Sequence, residues 1–179
     1  MSEVLKTMRE RRVVRSYSDA PVAEETLWKV LEAARWAPAA GNRRLNRFVC
    51  IIDTKIIRQL SMISPGMLGS PAAVIIVCID RREAGNVPVL DLSHTAYIDV
   101  GTVMQNMLLA AHALGVGACP VTSFSHAAVK ELLNLPDHLE PELFVCLGYP
   151  ARSEFGPIRP SRPTSTKDLV HWGPFPAPS

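Results

Sequence analysis

Four short stretches of this 179-residue chain carry residue types suited to holding a flat, phosphorylated cofactor. The first, Arg11-Arg12-Val13-Val14-Arg15-Ser16-Tyr17, crowds guanidinium groups, which bind phosphate through planar, paired hydrogen bonds. The second, Ala37-Pro38-Ala39-Ala40-Gly41-Asn42-Arg43-Arg44, offers small residues that let backbone approach a ring, then an Asn amide that donates to one heteroatom and accepts from another. The third runs from Gly115 to Phe124 and contains Pro120, Val121, Thr122 and Ser123, with backbone N–H groups that could meet a ring nitrogen. The fourth, Arg159-Pro160-Ser161-Arg162-Pro163, mounts two arginines on a stiff backbone, which lowers the entropic cost of fixing them. Taken singly, each has a plainer explanation: a solvated basic face, a helix stop, a helix-to-strand connection and a basic tail.

Other chemistries find little support. The histidines (His94, His112, His126, His138, His171) show no zinc spacing, and neither H-E-x-x-H nor G-x-S-x-G occurs. Gly115 to Phe124 lacks the G-x-G-x-x-G pattern and any Walker lysine. Redox chemistry would therefore have to come from a bound cofactor. A net charge of +2 argues against nucleic acid, as does the lack of aromatic residues among the N-terminal arginines to stack bases.

With 47% hydrophobic and 20% charged residues the composition is that of one globular domain over residues 1–179. The longest apolar run, Ala72 to Ile79, stops at Asp80, well short of the roughly 20 residues of a membrane span. The first residues lack the basic-then-apolar pattern of a secretory signal, so a cytoplasmic protein is expected. Cys50, Cys78, Cys119 and Cys146 form no C-x-x-C pair and read as buried, reduced thiols.

The elements that must position the four stretches follow from periodicity. Residues 2 to 11 read as a short amphipathic helix ending at the arginines, and Glu24 to Ala37 as a stronger one, with Leu27, Val30, Leu31 and Ala34 on one face and Pro38 as its stop. Phe48–Ile52 and Ala73–Ile79 are apolar throughout and predict strands at the centre of a sheet, with a modest helix from Asp53 to Ile63 between them. The longest helical pattern spans Ser93 to Leu114, is apolar on more than one side, and predicts a buried or interface helix. A strand over Val116–Phe124, a helix over His126–Asn134 and a strand over Leu143–Gly148 complete the order. From Pro150 onward the seven prolines predict an extended tail, with Leu169-Val170-His171-Trp172 as an apolar anchor against a protein surface.

In their order and spacing these segments resemble the nitroreductase family. The resemblance runs from Arg11 to Tyr17, through Ala33-Ala34-Arg35-Trp36-Ala37-Pro38-Ala39-Ala40-Gly41-Asn42 and Ala110-Ala111-His112-Ala113-Leu114-Gly115-Val116-Gly117, to Leu147-Gly148-Tyr149-Pro150 and Leu169 to Trp172. It implies an α+β fold, with a mixed, mainly antiparallel sheet flanked by helices and a C-terminal tail embracing a second subunit. It also implies a homodimer with FMN at the subunit interface. Arg11, Arg12, Val13 and Arg15 would hold the phosphate, ribityl chain and pyrimidine edge, and Arg159 and Arg162 would complete the phosphate site. Pro38, Ala39, Ala40, Asn42 and Arg44 would reach the flavin from the other subunit, and Pro120, Val121, Thr122 and Ser123 would pass beside its ring. The implied reaction is ping-pong. NADH or NADPH delivers hydride to the flavin and leaves, and a nitroaromatic, quinone or similar small acceptor takes its place; no side chain need act as an acid.

The sequence departs from the family pattern in places. Val13 and Ala39 stand where the family often has Ser, and Arg43-Arg44-Leu45-Asn46 replaces a common x-Gln-Pro-Trp, so that by the resemblance Arg44 would set a cation near the ring or acceptor. Two other functions fit the same residues: an FMN carrier or sensor with little turnover, and another chemistry of the superfamily such as reductive dehalogenation.

Overall fold

The computed structural model describes residues 2–82, 92–151 and 165–174. Four strands, β1 (Asn46–Ile51), β2 (Ala73–Asp80), β3 (Gly117–Val121) and β4 (Leu139–Gly148), form a sheet in the order β1-β2-β4-β3, with every neighbouring pair antiparallel. A parallel bridge joins Val13 to Ala118 beyond the β3 edge.

β2 is buried along its whole length, as its unbroken apolar run requires. Its alternate residues feed two cores. Ala73, Ile75, Val77 and Ile79 pack with the helices α2 (Glu24–Arg35) and α4 (Leu92–Ala113), while Val74, Ile76 and Cys78 pack on the opposite face with α3 (Thr54–Met62) and α5 (His126–Leu132). The α4 pattern is explained by this burial: Ala96, Val100, Val103, Met107, Leu108 and Ala111 face the core, while Tyr97 and Ile98 remain exposed.

Several boundaries and burial states differ from the sequence expectations. β1 is an edge strand of intermediate burial, not a sheet centre, because only one side of it finds a partner strand. Its Cys50 consequently faces outward and is exposed, whereas Cys78, Cys119 and Cys146 are buried as expected; burial pushes the Cys78 and Cys146 thiols up to about 12. β3 ends at Val121, leaving Thr122 and Ser123 in the following turn. β4 begins four residues early, because Pro141 is accommodated opposite Cys78 where the register shifts.

The first helix, α1 (Glu3–Glu10), stops at the arginines, and Asp53 caps α3 by accepting from Lys55 N at 2.7 Å. The proline-rich tail is not wholly extended. Ser165 and Asp168 form a reciprocal capping box that starts a short helix, α6 (Thr166–Leu169), in a stretch free of proline. Within one chain Leu169 and Trp172 stay exposed, Trp172 at 90%. No helix among the described residues is long and apolar enough to cross a membrane.

Candidate functional site

The chain after α1 pairs first with the free edge of β3 and then with the residues that follow β4, through isolated bridges from Val13 to Ala118 and from Tyr17 to Pro150. Val14 N donates to Ala118 O at 3.0 Å, Ser18 N to Tyr149 O at 2.8 Å, and Ala151 N to Ser16 O at 3.1 Å. Three glycines permit this close approach, Gly148 among them, where a Cβ would lie 2.7 Å from the Tyr17 ring. A Cβ on Gly117 would lie 2.7 Å from Val14 side-chain atoms, and one on Gly69, whose φ is +72°, would collide with the Arg15 carbonyl oxygen. Tyr17 turns inward, its hydroxyl donating to Val14 O at 2.7 Å, and burial raises its pKa well above the usual phenol range.

This packing brings the first and third stretches together. Arg15 lies close enough to Cys119 of β3, the residue before Pro120, for its charge to oppose the effect of burial on that thiol. Val13 bridges Ala118, and Gly66 N donates to Ser123 O at 3.4 Å. Thr122 and Ser123 are exposed at the end of the strand. Arg11 has a buried Nη1 with no hydrogen-bond partner, an orphan that an anion would satisfy. Arg12 is turned differently: its Nη1 donates to the carbonyls of Arg9 at 2.6 Å and Arg11 at 2.9 Å, closing the C-terminal end of α1. Arg159 and Arg162 lie outside the described residues.

The second stretch lies near the opposite edge of the sheet. Pro38, Ala39 and Arg44 line a cavity of about 150 Å³ with Asn46 and Phe48 of β1. With strands about 4.8 Å apart, β1 and β3 are separated by roughly 14 Å. Gly41, Asn42 and Arg44 adopt left-handed backbone conformations (φ 59°, 54° and 53°), and Arg44 Nε donates to Asn42 Oδ1 at 3.3 Å. Arg47 steadies the loop from behind, donating to Arg44 O at 2.9 Å and pairing with fully buried Asp80 at 3.4 Å.

Three polar residues of α4 hold this loop and the last turn of α2 that leads into it, and the sequence reading missed them. Asp99, only 4% exposed, accepts from Ala40 N with both carboxylate oxygens, at 3.0 and 3.1 Å. Thr102 Oγ1 donates to Pro38 O at 3.2 Å, and Asn106 Nδ2 to Ala33 O at 3.0 Å. Their i, i+3, i+7 spacing on an otherwise apolar helix was the available signal.

The nitroreductase family model matches residues 8–64 and 63–149, which include the first three stretches. The chain belongs to the nitroreductase family. It is 32% identical over 160 residues to an Archaeoglobus fulgidus protein assigned by name as an NADH dehydrogenase/NAD(P)H nitroreductase, covering 84% of this chain and 87% of that protein. It is 26% identical over 168 residues to a Bacillus subtilis protein named FMN reductase [NAD(P)H], covering 84% of this chain and 67% of that one. Among solved structures, a nitroreductase family protein from Clostridium difficile superposes with a TM-score of 0.81 at 30% identity, over 96% of this chain and 98% of that one.

Proposed function

We propose that two copies of this chain bind FMN between them and use it to pass hydride from NADH or NADPH to a nitroaromatic, quinone or similar small acceptor. The chain is an NAD(P)H-dependent oxidoreductase of the nitroreductase family, and its homologues' names carry flavin as well as nicotinamide chemistry. The observation that carries the flavin reading is the orphaned buried guanidinium nitrogen of Arg11, on the segment that pairs with β3 at Ala118, the strand after which Thr122 and Ser123 are exposed. Cationic donors at one end and exposed backbone at the other suit a molecule with a phosphate tail and a flat polar ring.

Bound there, FMN supplies the capacity to accept and release hydride, which no side chain in the site can do. The chain's own groups bind and orient. Arg11, with Arg159 and Arg162, holds the phosphate, and Arg12 and Val13 line its approach. Arg15 places positive charge where a reduced ring gathers electron density. Pro120, Val121, Thr122 and Ser123 form one wall. Pro38, Ala39, Ala40, Asn42 and Arg44 form the other from the second copy, in keeping with their position near the far edge of the sheet within one chain. The exposed Tyr97 and Ile98 of α4, with Leu169 and Trp172 of the tail, are the apolar surfaces that a second copy would cover.

Steady-state oxidation of NADPH at several fixed menadione concentrations tests this reading. Parallel double-reciprocal lines are expected, since donor and acceptor take turns at one site. Bound FMN without acceptor-dependent NADPH or NADH oxidation would instead make the protein a flavin carrier.

A further inference from the structure

Two of the four free cysteines face each other across the sheet. In the antiparallel pairing of β3 with β4, the residue opposite Cys119 is Cys146. Directly opposed residues point to the same face, and both thiols belong to the buried core on the α3 and α5 side. Opposed Cα atoms lie about 4.5 Å or about 5.5 Å apart, according to whether the pair is hydrogen-bonded. Both spacings fall within the range of about 4.4–6.8 Å that a disulfide spans. The other thiols are out of reach. Cys78 lies on β2 four residues beyond Val74, the partner of Cys146, a separation of roughly 13 Å along the strand. Cys50 is exposed on the far edge strand.

The two sulfurs are not equivalent. Burial pushes the Cys146 thiol up to about 12, and the charge of Cys119 adds to the effect. Burial also raises Cys119, but there the charge of Arg15 works against it. Cys119 therefore ionises at lower cost, while Cys146 is held as S–H. Val13 and Tyr17 pack over this core from the segment after α1, which isolated bridges rather than a continuous ladder hold to the sheet. Local opening of that segment is the route by which a small oxidant reaches the sulfurs.

We propose that Cys119 and Cys146 form a reversible cross-strand disulfide when the chain meets a peroxide, with Cys119 as the attacking thiol and Cys146 as the resolving one. The Cys119 thiolate attacks one peroxide oxygen, the O–O bond breaks and hydroxide leaves, giving a sulfenic acid. The Cys146 sulfur then attacks the Cys119 sulfur, and the S–S bond forms as the S–O bond breaks. Both peroxide oxygens, with the two thiol protons, end as water, and two electrons pass from the sulfurs to the peroxide. A thiol reductant reverses the change. The bond ties β3 to β4 one residue before Pro120, and beside Arg15 it replaces a thiol able to carry negative charge with a neutral disulfide. It does not depend on the flavin reading and is expected of the chain with or without FMN.

The test uses the folded full-length chain carrying Cys50→Ser, which removes the exposed thiol and with it cross-links between chains. After treatment with hydrogen peroxide, the remaining thiols are alkylated in denaturant and the peptides identified by mass spectrometry. The expected product is a chain roughly 2 Da lighter, with Cys119 and Cys146 in one disulfide-linked pair, Cys78 alkylated, and full reversal by dithiothreitol. Linking strands in their native register restricts the unfolded chain, so the oxidised form should melt about 5 °C or more above the reduced one. Cys146→Ala should leave Cys119 without a resolving thiol and open to sulfinic acid, a gain of roughly 32 Da. Peroxide that leaves Cys78, Cys119 and Cys146 all alkylatable, that links Cys78, or that takes Cys119 to sulfinic acid with Cys146 present would overturn the proposal. So would a bond that forms only after unfolding in urea, or an oxidised chain that melts no higher than the reduced one.

Discussion

Replacing Asp99 probes the link between fold and cofactor at one atom pair. Both of its oxygens accept the Ala40 N–H, and the group is almost wholly buried. A hydrogen bond to a charged partner contributes about 1.5–3 kcal/mol, and Asp99→Ala also leaves the Ala40 N–H to find water. A loss of about 2 kcal/mol in holding the 38–42 loop corresponds, at 1.4 kcal/mol per factor of ten, to FMN affinity roughly thirtyfold weaker. Asp99→Asn keeps a neutral acceptor, so a loss of about 1 kcal/mol and roughly fivefold is expected. Thr102→Val removes a neutral hydroxyl that is shared between Pro38 O at 3.2 Å and Asp99 O at 2.9 Å, so its effect should be no larger than that of Asp99→Asn. Quenching of FMN fluorescence on titration gives the affinities, and urea unfolding shows how much of each change is global. If Asp99→Ala bound FMN as tightly as wild type, the loop would have no part in the flavin site and the reasoning would be wrong.

Two further substitutions test the frame that presents the arginines and the loop. Gly69→Ala combines a left-handed φ with a collision against the Arg15 carbonyl, so it should destabilise by more than about 1 kcal/mol and weaken FMN binding as Arg15 shifts; a urea midpoint equal to wild type would contradict this. At Asp80 the hydrogen bond from Arg82 holds the carboxyl below the usual range, against burial and with help from Arg47. Its folded pKa therefore lies under its unfolded one. The associated stability is present above about pH 4 and is lost as pH falls through the folded value. Asp80→Asn should be less stable at neutral pH and lose that part of its acid sensitivity, as urea unfolding across the acid range would reveal.

Legibility from sequence followed the physics of each element. β2 was plain because burial on both sides leaves no choice but apolar residues, and α4 because its length and its recurring apolar core face mark a helix. The first three stretches were also visible, since guanidiniums, small residues and strand ends have distinctive chemistry. Phe48–Ile52 misled because an apolar strand at a sheet edge reads the same as one at the centre, so the exposure of Cys50 was hidden. The role of Gly69 was unreadable because it depends on the passage of Arg15 from a distant part of the chain. Asp99, Thr102 and Asn106 were legible as a helical spacing but not as anchors, because their partners are backbone atoms some 60 to 70 residues away.

The central claim is that arginines of one copy and the small-residue loop of another hold a single flavin. It is tested most directly by FMN titration of a mixed dimer, with Arg15→Ala in one chain and Asn42→Ala in the other, co-expressed with different affinity tags and purified through both. A site shared across the interface predicts one FMN per mixed dimer bound with wild-type affinity, because one of its two sites then carries both defects and the other none. Two equally weakened sites, each carrying one defect, would place the whole flavin site within a single chain and contradict the account.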